Sequence, residues 1–472
     1  MKEMVEQDLL PQVAHEQIEL NEQERAGRWK AYTKYRDSGV EWLGEIPAHW
    51  DIKRIKETMT VINGYPFASE LFNFTEGKPL IRIRDLANSS TETYYAGTPV
   101  KEATVFNDDI LIGMDGDFNV CWWQGGEALL NQRLCCIREK NLVDKRFVYY
   151  LLSFPLKLIN DLTWFTTVKH LSSAQISSIS FGYPPFTEQQ TIVAFLNRET
   201  TRINTLITKK EQHIALLQER RTAIINQAVT RGLNADVPMK ASGVEWLREI
   251  PEGWEVRRVK HSIYSIKQGW SPSCENRVAD AGEWGVLKVG CVNGTTFNEN
   301  ENKALPKDLK PIPELEIKPS DILMSRANTR ELLGSASIVR NVRPGLLLCD
   351  KLYRLRINRE ILLPDFFVLT MRSSTVRFQL ERDATGASSS MQNISQFTIV
   401  NVLLPVPDIK EQQSIVTYLE QETTKIDKLI TGIQESIKKL KEYSTALISA
   451  TVTGKIDVRG EVVAGSAEDA TI

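Results

Sequence analysis

The segment Gly182-Tyr183-Pro184-Pro185-Phe186 has the spacing of a motif that binds the amino group of a nucleobase. Amino-methyltransferases place an asparagine or aspartate before the two prolines and an aromatic residue after them. Here Tyr183 takes the place of the amide or carboxylate acceptor, and no glycine-rich cofactor loop precedes it. Because each proline removes a backbone donor and fixes φ, we interpret the segment as the exit from a strand.

Metal, phosphate-loop and thiol chemistry find little support. Asp115-Gly116-Asp117 could bind a cation, but an Asp-Gly step is typical of a turn. The six cysteines form no C-x-x-C pair, and with five histidines there is no convincing zinc cluster. No G-x-x-x-x-G-K-[ST] motif occurs. We therefore expect reduced thiols, no catalytic residue, no metal and no cofactor bound by this chain.

Polar loop residues offer a different chemistry, the recognition of base edges. Arginine and lysine pair with guanine, whereas asparagine and glutamine pair with adenine. Each such residue alone is more often a solvated surface residue, but matched loops in the two halves carry different polar residues. Phosphate contacts should outnumber base contacts. The candidate DNA-binding residues are Gly64, Tyr65, Phe67, Arg82, Arg84, Gln132, Arg133, Lys169, His170, Lys267, Gln268, Trp270, Lys288, Arg326, Asn328, Lys351, Ser388, Ser389, Gln392 and Asn393.

The composition is that of a globular protein with at least two domains. The chain of 472 residues is longer than a domain with a single hydrophobic core normally is. Of its residues, 42% are hydrophobic and 25% are charged. The formal net charge of −2 excludes a global attraction to nucleic acid, so any DNA contact must use local basic patches or a partner's charge. We find no signal-peptide pattern and no run of ~20 apolar residues, and we expect a cytoplasmic protein.

The elements that position the polar loops are duplicated. Residues 38–43, SGVEWL, recur unchanged as 242–247, a shift of 204 residues. The same shift relates Glu45-Ile46-Pro47, Trp50, Arg54 and Lys56 to later copies. A second block, which begins at Glu188-Gln189-Gln190, recurs at Glu411 after a shift of 223 residues. The two halves therefore share their ends and differ in their middles.

The middles, roughly 51–185 and 255–408, are predicted to be mixed α/β inserts. Short apolar runs between turn residues favour strands. A strand over 80–84 would place Arg82 and Arg84 on one face, and the loop 63–67 carries an aromatic residue expected at the surface. The other predicted strands cover 110–113, 134–137, 284–289, 322–324 and 352–355, and the predicted helices cover 143–158 and 364–382.

Each insert is followed by a predicted long helix with a coiled-coil pattern. Since one such helix would expose its apolar seam, we expect an antiparallel pair with pseudo-twofold symmetry. Lys210 and Arg221 fill seam positions of the first helix, which should end near Gly232. Its seam rises ~38 Å, close to the ~34 Å turn of B-DNA, so the pair could be a spacer. The predicted seam residues are Ile203, Ile207, Ile214, Leu217, Ile224, Ile426, Ile430, Ile433, Ile437, Leu440 and Leu447.

The repeated S-G-V-E-W-L-x-E-I-P-x-x-W segments, the P-x-x-x-E-Q-Q start of each long helix and the two heptad helices resemble the specificity (S) subunit of type I restriction–modification systems. The resemblance covers about residues 37–457. It implies an α+β fold, in which two mixed α/β target recognition domains are separated by two long helices that form an antiparallel coiled coil. Each domain would recognise one half of a bipartite, asymmetric DNA site, and the chain itself would not be catalytic.

The resemblance also implies partners and an organisation. The partners are double-stranded DNA, two methyltransferase (M) subunits that use S-adenosylmethionine, and restriction/translocase (R) subunits that use ATP and Mg. The organisation is an N-terminal helical extension (1–36), a connector with target recognition domain 1 (37–185), a central helix (186–235), a connector with target recognition domain 2 (236–408), a C-terminal helix (409–457) and a flexible tail (458–472). The extension departs from the commonest pattern of the family.

Two other functions stay open from the sequence. A self-contained DNA-modifying enzyme would need a catalytic domain, but no remaining segment is large enough for one. A coiled-coil scaffold that binds only protein would select no split DNA motif from a random pool. Four repeated tryptophans are either core anchors or docking contacts for a partner, namely Trp42, Trp50, Trp246 and Trp254.

Overall fold

The computed structural model describes residues 29–162, 169–388 and 391–461. The chain divides into two compact units: unit 1 comprises Met1–Lys209 and Ser436–Ile472, and unit 2 comprises Lys210–Glu435. Each unit holds one insert and a part of each long helix. The predicted helix before residue 29 and the tail after residue 461 lie outside the described residues. Among the helices described, none has the length and apolar character that a membrane span requires.

Unit 1 consists mainly of short strands, because its apolar residues occur in short runs between turn residues. Its strands are β1 (Tyr35–Asp37), β2 (Glu45–Pro47), β3 (Asp51–Arg54), β4 (Met59–Asn63), β5 (Phe72–Asn73), β6 (Lys78–Ile81), β7 (Tyr94–Tyr95), β8 (Thr104–Val105), β9 (Ile110–Gly113), β10 (Val120–Trp122), β11 (Ala128–Leu130), β12 (Leu134–Glu139) and β13 (Ser180–Tyr183). Its helices are α1 (Ile55–Thr58), α2 (Lys145–Leu162), α3 (Ser173–Ser178) and the first part of α4 (Phe186–Arg231), with 3-10 turns at Ser69–Leu71, Ile83–Ala87 and Lys101–Ala103.

Two sheets form the insert of unit 1. One has the order β10-β9-β12-β4 with antiparallel neighbours, and the other has the order β5-β7-β6-β11-β8 with β6 and β11 parallel. All four residues of β9 are buried, and Leu111, Leu130 and Cys136 share one core. The strands predicted over 110–113 and 134–137 are confirmed. The strand predicted over 80–84 is too long, because β6 ends at Ile81 and the chain turns into a 3-10 helix.

Unit 2 repeats this architecture with different strand lengths. Its strands are β14 (Met239–Ala241), β15 (Glu249–Pro251), β16 (Glu255–Arg258), β17 (Ile263–Gln268), β18 (Gly285–Leu287), β19 (Asn302–Ala304), β20 (Ile322–Ser325), β21 (Ala327–Asn328), β22 (Ala336–Ile338), β23 (Leu346–Leu347), β24 (Leu352–Ile357), β25 (Thr385–Ser388), β26 (Met391–Asn393) and β27 (Leu403–Val406). Its helices are α5 (Pro364–Met371), α6 (Ser374–Arg382), α7 (Gln396–Asn401), the second part of α4 and the first part of α8 (Ile409–Val452), with 3-10 turns at Val259–His261, Val289–Val292 and Pro313–Leu315.

The main sheet of unit 2 has the antiparallel order β17-β24-β20-β22. Unit 2 also contains two three-stranded sheets, with the orders β19-β18-β23 and β21-β26-β25. The strands predicted over 322–324 and 352–355 are confirmed. The strand predicted over 284–289 is shorter, because a 3-10 turn begins at Val289. The helix predicted over 364–382 is two helices, since the chain turns at Arg372 and the Ser373 side chain caps the second helix.

Small two-stranded sheets surround each insert in the same way. We call these sheets, with the repeated segments 35–56 and 239–260, the frame of each unit. β1 pairs with β2 as β14 pairs with β15, and β3 pairs with β13 as β16 pairs with β27. β1 and β14 differ by the same 204 residues as the repeated segment. The described part of the predicted extension, 29–36, is therefore not an added helix. It is irregular chain that leads into β1, and its last residues belong to the repeat.

A carboxylate at the start of each long helix binds the buried tryptophan of the frame. Trp50 and Trp254 are each only 1% exposed. The Trp50 Nε1 donates to Glu188 Oε1 at 3.0 Å, and the Trp254 Nε1 donates to Glu411 Oε2 at 3.0 Å. These two tryptophans are therefore core anchors, whose polar atom needs a partner once it is buried.

The glutamine after each carboxylate ties the helix to the insert. Gln189 accepts from the Asp144 backbone amide at 2.8 Å, just before α2. Gln412 accepts from the Leu363 amide at 2.8 Å, just before α5. Both glutamines are fully buried, and each also donates to the backbone carbonyl of the proline that follows the exit strand, Pro184 or Pro407. The repeated E-Q-Q motif thus joins helix, frame and insert through matched hydrogen bonds.

The two long helices pair in antiparallel fashion within each unit. In unit 2, Arg221 of α4 contacts Asp427 of α8 at 3.5 Å, whereas Gly232, just past the end of α4, lies against Glu411 near the start of α8. Rising residue numbers in α4 therefore meet falling residue numbers in α8. In unit 1, Gly454, just past the end of α8, packs against Trp50, which is bonded to Glu188 at the start of α4, so the end of α8 lies near the start of α4. All eleven predicted seam residues are buried or half-buried.

The first long helix ends where the sequence predicted, whereas the second ends before the predicted bound at residue 457. α4 ends at Arg231, and Gly232, with φ +74°, closes it as expected. α8 ends at Val452, and the chain then packs against the first described residues. The Asp457 amide donates to the Lys30 carbonyl at 2.7 Å, and Val458 is fully buried. The predicted flexible tail from 458 therefore begins with ordered residues.

Replacing Glu188 with alanine should destabilise unit 1 more than Glu411→Ala destabilises unit 2. Glu188 also accepts from the Tyr32 hydroxyl at 2.7 Å and contacts His49 Nε2 at 2.7 Å. Each buried donor left without a partner should cost about 1–3 kcal/mol. Hydrogen–deuterium exchange of each unit measures the effect. Equal loss of protection around the two helix starts would contradict this account.

Candidate nucleic-acid interface

In each insert, a glycine that follows a strand packs closely against the backbone of a neighbouring loop. A Cβ atom on Gly64, after β4, would lie 2.0 Å from the Asn131 carbonyl oxygen. A Cβ atom on Gly269, after β17, would lie 2.1 Å from the Leu348 carbonyl oxygen. Only glycine fits at either place. The same close approach positions the aromatic residue that follows each glycine.

The loop cluster of unit 1 contains Tyr65, Asp115, Gln132, Arg133 and His170. A backbone bridge joins Tyr65 to the residue before Gln132, and another joins Asp115 to His170. Three separate loops, which follow β4, β9 and β11, meet here with the segment before α3. Tyr65 is 46% exposed, and Gln132 and Arg133 are exposed as well. The cluster thus presents one aromatic ring and several hydrogen-bonding groups to solvent.

Asp115 holds two exposed side chains of this cluster. Its carboxylate contacts Arg133 Nη1 at 2.9 Å and His170 Nδ1 at 2.7 Å. Arg133 and His170 are 56% and 55% exposed, whereas Asp115 is 20% exposed. One shielded carboxylate therefore fixes the direction of two side chains that solvent or a ligand can reach. Gly116 has φ +76°, so Asp115-Gly116-Asp117 is a turn, as the sequence indicated.

Other predicted residues of unit 1 contribute less or not at all. Arg82 is exposed. It lies beside the cluster, because the preceding residue, Ile81, pairs with Leu130 at the end of β11. Arg84 lies on a 3-10 turn, where it donates to Thr93, so it does not share a strand face with Arg82. The Lys169 ammonium is bound to two oxygens of Asn160.

Phe67 does not contribute to the exposed surface. It is 7% exposed and packs in a small core with Leu80, Tyr95 and Leu129. The surface position expected for an aromatic residue of this loop therefore holds for Tyr65 and not for Phe67, whose ring turns inward. Tyr65 covers it, with 5.1 Å between the ring centroids.

The loop cluster of unit 2 contains Gln268, Trp270, Arg326, Asp350 and Lys351. The side-chain amide of Gln268 donates to the Asp350 backbone carbonyl at 3.1 Å. The backbone amide of Arg326 donates to the Lys351 backbone carbonyl at 2.8 Å. Trp270 bridges to the residue before Asp350. The cluster occupies the same strand ends as that of unit 1, but it offers a different set of side chains.

A small sheet extends the cluster of unit 2. β21 pairs with β26, which places Asn328 opposite Gln392 and Ala327 opposite Asn393. Gln392 and Asn393 are half-buried, whereas Asn328 is buried and donates to Asn293 Oδ1 at 2.8 Å. Asn328 therefore positions the loop and, at 8% exposure, offers less surface to a ligand than a predicted DNA-binding residue should.

The remaining candidates of unit 2 lie around this cluster. Lys267 is exposed on β17, next to Gln268. Lys288 is 40% exposed and pairs with Glu301 at 3.0 Å. The backbone of Ser388 ends β25, and Ser389 lies outside the described residues.

Catalytic alternatives find no support among the residues described. Tyr183 of the Pro-Pro segment donates to the Leu142 carbonyl, and α4 begins directly at Phe186, so the segment is a strand exit. Burial raises the pKa of Cys135 and of Cys349 to about 12, which keeps both thiols protonated at neutral pH. Within the described ranges, no group of three His, Cys, Asp or Glu residues could bind a metal ion.

Few features of the sequence indicate which residues orient the two loop clusters. Asp115 is 18 and 55 residues away from its partners, and no periodicity connects it to them. Asp350 acts through its backbone carbonyl, which any residue type supplies. The glycines before Tyr65 and Trp270 were the useful signal, since a glycine inside a polar loop after a strand often marks a close backbone approach.

Comparison with known proteins matches the architecture to one family. The model of the type I restriction modification DNA specificity domain matches residues 47–216 and 251–439. The EcoBI specificity subunit of Escherichia coli is 26% identical over 431 residues and 89% of each chain. The MjaVIII specificity subunit of Methanocaldococcus jannaschii is 23% identical over 424 residues, 88% of this chain and 94% of its own.

A solved structure from a study of the assembly and conformational transition of the type I R-M system has a TM-score of 0.63 with this chain. It is 17% identical and covers 87% of this chain and 99% of its own, so it shows the same fold. Because the family model matches more than half of the chain, in two copies, the protein belongs to the family of type I restriction–modification DNA specificity subunits.

Proposed function

We propose that the chain selects the DNA sequence on which a type I restriction–modification complex acts and catalyses no step itself. One observation carries the proposal: the same frame, used twice, supports two exposed loop clusters of different composition. Unit 1 offers Arg133 and His170 held by Asp115, and unit 2 offers Gln268 and Arg326. Different donors and acceptors at equivalent strand ends suit two different halves of a bipartite, asymmetric site.

The chemistry then belongs to partner subunits. We propose double-stranded DNA, two methyltransferase subunits that use S-adenosylmethionine, and restriction/translocase subunits that use ATP and Mg. The methyltransferases would flip adenines out of the duplex and modify them. The net charge of −2 fits this division, because partners that surround the DNA can neutralise many of its phosphates. Such a complex would act on cellular DNA, in the cytoplasm.

The long helices are proposed to set the spacing between the two half-sites and to dock the methyltransferases. α4 runs for 46 residues and α8 for 44 residues without a break. A rigid helix fixes distance through its rise per residue, which a flexible linker cannot do. Trp42 and Trp246 are half-buried against Phe154 and Phe378, so their outer edges could also contact a docked partner.

Arg133→Ala should relax base preference in one half-site only, and Arg326→Ala should relax it in the other half-site. A lost bidentate contact to a base costs about 1–3 kcal/mol of discrimination. Selection from a randomised duplex pool, with a methyltransferase partner present, measures the effect on each position. Arg84→Ala is the matched control, because Arg84 is exposed in unit 1 but bonded to Thr93. A change in both halves from either single variant would contradict the assignment.

The purified chain should transfer no methyl group from S-adenosylmethionine to DNA, whereas the chain with its methyltransferase partners should methylate adenines at a split motif. The reason is that the described residues offer base-recognising groups but no activated nucleophile or cofactor loop. Methylation mapped by sequencing is the readout. Methylation by the chain alone would overturn the proposal, and methylation without a split motif would favour a protein-only scaffold.

A further inference from the structure

Three cationic residues of the duplicated frame have so far no role. Lys53, Arg54 and Lys56 in unit 1 correspond to Arg257, Arg258 and Lys260 in unit 2, each after 204 residues. We call each set of three a basic strip. The strips belong to the segment that leads into each insert, and they do not belong to either loop cluster.

The structure places corresponding strip residues in equivalent environments. Ile55 and Val259, inside the strips, are both fully buried. Lys53 and Arg257 have side chains 41% and 38% exposed. The other strip residues are exposed in both units, namely Arg54, Lys56, Arg258 and Lys260. One buried apolar residue in each strip thus anchors the segment and directs three cations outward.

Contacts within the chain do not explain why the cations recur. Lys53 lies 4.0 Å from Glu57, and Arg257 lies 2.7 Å from Glu255, both at the surface, where such pairs stabilise little. Arg258 donates to the neutral amide of Asn401 at 2.8 Å. In the part of the chain that the structure describes, Lys53 and Arg257 are the strip cations that form ion pairs, and the other four form none.

Exposed positions beside the strips have changed between the two copies. Ala48 corresponds to Glu252, and His49 corresponds to Gly253. On the other side of the strip, exposed Glu57 corresponds to exposed His261. Charge has therefore not been held constant over this surface as a whole. The three cations of each strip are retained although neighbouring exposed residues have changed. This retention indicates a ligand that both units bind alike, whereas the two DNA half-sites differ.

We propose that each basic strip binds phosphates of the DNA backbone beside the bases that the loop cluster recognises, independently of sequence. The inference rests on the proposed function, since it assigns a second part of the same DNA interface. Backbone phosphates are the same in both half-sites, and lysine and arginine are their usual ligands. Within each strip the retained exposed residues are cations, and no exposed apolar residue lies among them, whereas a protein interface would need an apolar centre.

The position of the strips suits this role. β4 and β17 lead from the strips to the glycine loops over five and six residues, which is ~15–20 Å. That distance equals about half a turn of B-DNA, so phosphates lie at such a distance from the recognised bases. The strips also supply local positive charge to a chain whose net charge is −2.

The test is binding of the full chain alone to a duplex of random sequence over a range of salt concentrations. The variants are K53Q/R54Q/K56Q and R257Q/R258Q/K260Q. Each phosphate contact contributes about 0.9 to the slope of log K against log salt, so each variant should lower the slope by roughly 2–3 and weaken binding roughly tenfold or more at low salt. Thermal unfolding should be unchanged, since the altered side chains are exposed or half-exposed.

The matched control is K438Q/K439Q/K441Q, which removes the same charge from exposed positions of α8. It should leave the slope within ~1 of the unaltered chain. An equal effect of the control, or an unchanged slope in both strip variants, would overturn the proposal. So would strip variants that bind DNA normally but no longer bind the methyltransferase. Failure here leaves the half-site selection by Arg133 and Arg326 untouched, so the two proposals can fail separately.

Discussion

The structure depends on hydrogen bonds at the first turn of each long helix. A carboxylate, Glu188 or Glu411, accepts from the buried tryptophan of the frame, and the next residue, Gln189 or Gln412, binds the segment before a helix of the insert. Both interactions involve buried polar groups, which are costly to leave unpaired. They therefore fix the insert, the frame and the helix as one body within each unit.

This constraint leaves the rest of the insert free to vary. The frame sheets and the glycine that closes the strand end are the same in both units, whereas the side chains around that glycine differ. In unit 1 a carboxylate orients an arginine and a histidine, and in unit 2 the backbone carbonyl of Asp350 accepts from the side chains of a glutamine and an arginine. A fixed support with variable loops is the arrangement that recognition of two unlike half-sites requires.

The sequence alone predicted what local pattern and repetition determine. The paired helices follow from their heptads, and several central strands follow from short apolar runs. It failed where tertiary contacts decide: Phe67 and Asn328 look like loop residues but are buried, and the strand at Arg82 ends early in a 3-10 turn. The role of Asp115 was missed, because its partners come from distant segments that only the fold brings together. Repetition helped most, since two copies show which positions are held and which vary.

The central claim is that the frame is common and the insert alone determines the recognised bases. The most direct test replaces residues 255–406 with a second copy of residues 51–183, joined at frame sheets of identical register. With methyltransferase present, methylation mapping should then find a site whose two halves are copies of the first half-site. Retention of the original second half-site by this chain would contradict the account.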